Sequence, residues 1–197
     1  MARTGPSSSA RSFLARFRRS VAIPPTLAAL VPSDGPLLGA VPLDADGSRW
    51  AAATARYLTV VGADGVELHR GWHEVERGRW DAEAATFTLT WTDAARAPLE
   101  LVVPAAVVSG EGSQPVDVAR FARALRQGVE SALVHSATDT LPGGRRVTVS
   151  VRRDARWGLY TASSLPDDVA AGLDAADQAA LADLNHRVRD GVGLPTN

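Results

Sequence analysis

"WAAATARYLTVVGADGVELHRGWHEVERGRWD", residues 50–81, is the stretch whose periodicity decides the fold. Apolar and small residues run over Trp50–Thr54 and again over Tyr57–Val61. Ala55-Arg56 between them predicts a tight hairpin. Ala63-Asp64-Gly65 carries Asp-Gly turn chemistry. Val66–Trp72 then sets Val66, Leu68 and Arg70 against Glu67 and His69, and a further strand is expected over Glu74–Trp80. Working outward, Leu37–Leu43 is a short apolar run on the N-terminal side. On the other side, Thr86–Trp91 alternates Phe87, Leu89 and Trp91 with three threonines, a period of two. After a turn at Thr92–Ala97, Pro98–Val103 completes seven strands in about 65 residues. Connections this short require antiparallel pairing, because parallel strands need crossovers of a dozen residues or more. Such a meander is expected to curl into a barrel or a sandwich.

After Gly110–Pro115 the period changes. Val118, Phe121, Ala122, Leu125 and Val129 recur at helical spacing, which predicts a helix over residues 115–130 with Pro115 near its start. Arg120, Arg123 and Arg126 lie on its other side. Leu133–Thr140, Arg146–Arg152 and Trp157–Ser163 read as three more strands, the first two joined through Pro142-Gly143-Gly144. Along Arg146–Arg152 the valines 147, 149 and 151 share one face, and Arg146, Thr148, Ser150 and Arg152 share the other. A last helix opens at Asp167-Asp168, with Val169, Leu173, Ala180, Leu184 and Val188 on its apolar side, and stops at Gly191 and Gly193.

Seven antiparallel strands followed by one amphipathic helix resemble a pleckstrin-homology-like (PH-like) domain, of the kind found in small uncharacterised proteins of GC-rich bacteria. The residues that carry the resemblance are the opening stretch, "TFTLTW" (86–91) and "PLELVV" (98–103), with Trp72 before an acidic turn and Trp80 ending the next strand. The resemblance spans about residues 36–130. It implies a bent seven-stranded antiparallel barrel plugged at one end by the helix, and binding of phosphoinositides, peptides or other proteins rather than catalysis. Fold-level likeness of this kind informs architecture far more than function.

The chain has 197 residues, no cysteine and no lysine, so all 21 basic residues are arginine. Disulfides, thiol chemistry and Cys-ligated metals are excluded. A net charge of -1 hides a segmental pattern. Residues 1–33 hold five arginines and no acid, and 34–117 hold six arginines against thirteen acids. Residues 118–156 hold eight arginines against three acids, and 157–197 two against six. Such asymmetry suits complementary surfaces between copies or an anionic partner. The apolar stretch Val21–Val31 is broken by Pro24-Pro25 and is short of the ~20 residues of a membrane span, so a cytoplasmic location is expected. Residues 1–33 read as a basic disordered leader, with a short amphipathic helix over Arg11–Ser20 as the alternative.

Little in the chain reads as chemistry. On a strand rising ~3.3 Å per residue, His69 and His73 stand ~13 Å apart and share no metal. Glu67, Glu74 and Glu76 beside arginines are ordinary surface pairs. Ser163-Ser164 lacks a nucleophile elbow, and Gly143-Gly144 is too short for a phosphate loop. No cofactor and no metal are expected. The candidate anion- or partner-binding residues are Arg145, Arg146, Arg152, Arg153 and Arg156 around the second hairpin, with Arg120, Arg123 and Arg126 on the helix. Aromatic side chains are too few near them for single-strand stacking, so nucleic acid is disfavoured.

The sequence therefore predicts an α+β, mainly β chain: a leader (1–33), a PH-like domain (34–130), and a three-stranded extension with a C-terminal helix (131–197) that packs on the PH-like domain. The leading expectation is a non-enzymatic binding or adaptor module meeting a protein partner or the anionic inner membrane face. A homo-oligomer with complementary acidic and basic surfaces is the alternative, and an undetected hydrolase the third.

Overall fold

The computed structural model describes residues 21–33, 35–110 and 112–194. The basic part of the leader, for which a helix over Arg11–Ser20 is the alternative expectation, lies outside the described residues. Residues 21–33 contain a single helical turn, α1 (Pro25–Ala28). Leu27 of that turn packs with Trp50 and Val61 into a small cluster of its own.

The chain is α+β and mainly β, built from antiparallel sheets. The first sheet runs in sequence order through β1 (Gly39–Pro42), β2 (Trp50–Ala53), β3 (Tyr57–Gly62) and β4 (Gly65–Gly71). The second holds β5 (Val75–Asp81), β6 (Thr86–Trp91) and β7 (Leu99–Val102), again in order. The seven strands are those read from the periodicity. They form two separate sheets, however, and no closed barrel is found among the described residues. The break falls at Trp72–Glu74, a single 3-10 turn between β4 and β5. There Glu74 Oε1 accepts the Gly71 N–H at 3.1 Å, and the Trp72 indole turns into the core and donates to the Thr54 carbonyl at 2.9 Å.

Residues 106–115 correct the sequence reading. Instead of a loop and a helix start they form a hairpin, β8 (Ala106–Ser109) and β9 (Gly112–Pro115). Both strands are mostly exposed, so they carry no apolar alternation to reveal them. The helix α2 (Ala119–Ala132) starts four residues later than expected, where Asp117 Oδ1 accepts the Ala119 N–H. It crosses β1 at Gly39, where an added Cβ would lie 2.8 Å from the Phe121 Cα. Phe121, Ala124 and Leu125 enter the main core beside Val60, Phe87 and Leu101.

The extension is a third sheet, β10 (Leu133–Thr140), β11 (Arg146–Arg153) and β12 (Leu159–Ser163), in sequence order. The expected single C-terminal helix is two, α3 (Asp167–Ala171) and α4 (Ala175–Asp190). The chain breaks at Gly172, and Asp174 re-caps it by accepting the Asp177 N–H at 2.8 Å. Val147, Val149 and Val151 meet Leu184 and Val188 of α4 in a second, separate core.

Candidate functional site

The eight arginines predicted from sequence do not gather on one surface. Arg145 and Arg146 are exposed at one end of β11. Arg153 stands seven residues further along the strand, ~23 Å away at the usual rise. Arg120 is exposed but anchored, its Nε donating to the Leu38 carbonyl at 2.8 Å. Arg123 and Arg126 are exposed on α2.

Arg152 is withdrawn from any ligand, with 1% of its surface exposed. The alternation along β11 did place it opposite the valines. At its end of the strand, however, Arg152 is covered by β5. Its Nη1 pairs with Glu76 Oε2 at 2.8 Å and its Nη2 donates to the Val75 carbonyl at 2.5 Å. Beside it the Tyr160 hydroxyl donates to the His73 carbonyl at 2.8 Å, and burial pushes the Tyr160 pKa up against the opposing pull of Arg152. These contacts form a polar seam between the first core and the extension.

At the rim of the seam the turn between β11 and β12 presents Trp157, 62% exposed. Asp154 Oδ1 accepts the N–H groups of Arg156 and Gly158, each at 2.8 Å, and so holds Trp157 at φ +69°. The guanidinium groups of Arg56 and Arg153 both stand 5.3 Å from the indole centroid. Behind them is a small cavity of about 40 Å³, lined in part by Arg56, His73, Arg153 and Trp157.

A larger groove of about 240 Å³ lies between β5 and α2. Trp80, Phe87, Ala122, Leu125 and Val129 give it apolar walls, and Arg77, Arg79 and Arg126 stand around it with Glu76 and Glu130. Gly78 lets the two elements close, because Leu125 occupies the place where its Cβ would stand. β5 is an edge strand of its sheet. Of these residues only Arg126 was singled out from sequence as a site residue. The apolar ones carry the same signature as core positions, Arg77 and Arg79 read as ordinary charged strand residues, and only Gly78 between those two arginines hinted at a close approach.

The histidines have separate surroundings. His69 stacks on Tyr57 with ring centroids 4.3 Å apart and meets Thr59 Oγ1 at 3.0 Å. His73 meets Tyr160 edge-on at 5.8 Å. Among the described residues, no three His, Asp or Glu side chains gather into a metal-binding group. Nor is any described helix long and apolar enough to cross a membrane. Compared with known proteins, the chain matches no family model, no curated protein and no solved structure.

Proposed function

We propose that this chain is a non-enzymatic binding module on a PH-like scaffold, and that the groove between β5 and α2 takes an extended segment of a protein partner. A four-stranded sheet, a three-stranded sheet and a helix packed on both β1 and β5 support the scaffold. The groove itself carries the functional reading. Its volume falls below the ~300–1,000 Å³ of small-molecule pockets, a size suited to a few side chains of a peptide. An edge strand beside it offers the backbone for strand addition. Apolar walls suit a segment of alternating apolar residues, and Arg77, Arg79 and Arg126 set against Glu76 and Glu130 leave a lining of net positive charge that favours acidic neighbours.

A displayed library of random peptides tests this. It should yield such acidic, alternating sequences, and Ala122→Arg, which fills the groove, should weaken them at least tenfold. Failure to select any peptide, or binding indifferent to Ala122→Arg, would sink the proposal.

Trp157 between Arg56 and Arg153 favours a second reading, contact with an anionic membrane surface, since aromatic and arginine side chains suit the headgroup level. Sedimentation with phosphatidylserine vesicles at low salt reads it out directly. Binding lost in Trp157→Ala but kept in Ala122→Arg would support this surface in place of the groove.

A further inference from the structure

The edge of the extension sheet bears on a partner the groove does not address. β10 is the outer strand of its sheet, and with eight residues it is the longest edge strand described. Every residue except Ala137 is exposed. Sheet edges are ordinarily protected by lysine, proline, charge or shortness. The other long edges follow that rule, with Glu67 and Arg70 on β4 and Glu76, Arg77 and Arg79 on β5. β10, "LVHSATDT", has one carboxylate, Asp139, already paired with Arg187 of α4 at 2.6 Å.

The register shows which backbone groups face outward. The Leu141 N–H donates to the Arg145 carbonyl at the hairpin end. Alternation in an antiparallel ladder then assigns Asp139, Ala137 and His135 as the residues bonded to β11. Ser136 and Thr138 point their N–H and C=O groups away from it, whereas the register shifts at Val134 and Asp139 Oδ1 accepts the Thr140 N–H at 2.9 Å. The close Thr138–Thr148 hydroxyl contact of 2.7 Å agrees, because side chains approach most in the pairs that are not hydrogen-bonded.

We propose that β10 pairs antiparallel with β10 of a second copy of this chain, continuing the three-stranded sheet across a two-fold axis at Ala137. In this register Ser136 faces Thr138 of the second copy, and each such pair exchanges both backbone hydrogen bonds. Ala137 meets Ala137 at the axis, where a small side chain leaves room. His135 stands opposite Asp139 of the second copy, twice by symmetry, with Cα atoms ~4.5 Å apart. A shift of two residues either way loses both the Ala137 contact at the axis and the facing of His135 by Asp139, so the strand's own side chains favour this register. One strand covers less than the ~800 Å² per partner of a standard interface, so association is weak and concentration-dependent.

Sedimentation equilibrium of the full chain from micromolar to millimolar concentration reads the outcome. The apparent mass should rise from 20.7 kDa toward twice that value. Ser136→Pro removes an outward N–H and no bond to β11, so it should abolish dimerisation with an unchanged melting temperature. Thr138→Lys, which restores ordinary edge protection, should do the same if the proline variant folds poorly. His135→Asp sets two carboxylates face to face and should weaken the dimer at least tenfold. A chain monomeric at 1 mM, or a dimer indifferent to both Ser136→Pro and Thr138→Lys, would overturn the proposal; a dimer that ignores only His135→Asp would overturn its register.

Discussion

Tyr160 shows how one side chain couples the two units. Its phenol is held between Arg152 and the His73 carbonyl, and burial keeps it neutral. Replacing it by Phe removes one hydrogen bond, worth about 1 kcal/mol at neutral pH. The folded pKa lies above the ordinary value of 10.0. The neutral phenol therefore contributes its full stability below pH ~10 and loses it as the pH rises through the folded value. Urea midpoints at pH 8 and pH 11 should show wild type ahead of Tyr160→Phe at the first and the gap narrowed at the second. Arg152 carries the matching lesson in legibility. Its face on β11 was readable from alternation, but that this face is buried against Glu76 was not, because a period of two marks sides of a strand and not what covers them.

At the scale of elements, the strands with strong alternation were the readable ones. Phe87, Leu89 and Trp91 announce β6 because each enters the core. The β8–β9 hairpin stayed hidden because most of its residues meet solvent and Val107 alone is buried. Gly172 and Asp174 turned one expected helix into two, since a capping carboxylate competes locally with helix continuation. Packing of α2 on β1 depends on the absence of a side chain at Gly39, where a Cβ would strike the Phe121 Cα and the Arg120 carbonyl, both backbone atoms. Gly39→Ala should therefore cost about 1–3 kcal/mol. Gly110→Ala, whose Cβ meets nothing within 4 Å, should change the thermal midpoint little.

On the scale of the whole molecule, two apolar cores are joined by a narrow seam whose described hydrogen bonds are those of Arg152, Tyr160 and Arg56. Removing Arg152 leaves the Val75 carbonyl buried without its donor and Glu76 without its partner. The loss should be about 2–3 kcal/mol, since Glu76 is half exposed and part of its pairing is screened. Calorimetry should show one transition in wild type and two in Arg152→Ala, with the extension melting first. A variant that still melts in one step would show that the seam does not couple the cores. Glu76→Gln, which keeps an acceptor for Arg152, should cost under about 1 kcal/mol.

By itself the amino-acid sequence determined ten of the antiparallel strands, β1–β7 and β10–β12, and the apolar face of α2, because those follow from local periodicity and turn chemistry. It also marked the arginines as a class. Only the tertiary structure decided that the seven strands part into two sheets at Trp72–Glu74 and that Arg152 is a strut. The groove between β5 and α2, and the edge of β10 left unpaired among the described residues, likewise arise only when distant segments meet. Burial and strand neighbours are properties of contacts far apart in the chain, and no local pattern encodes them.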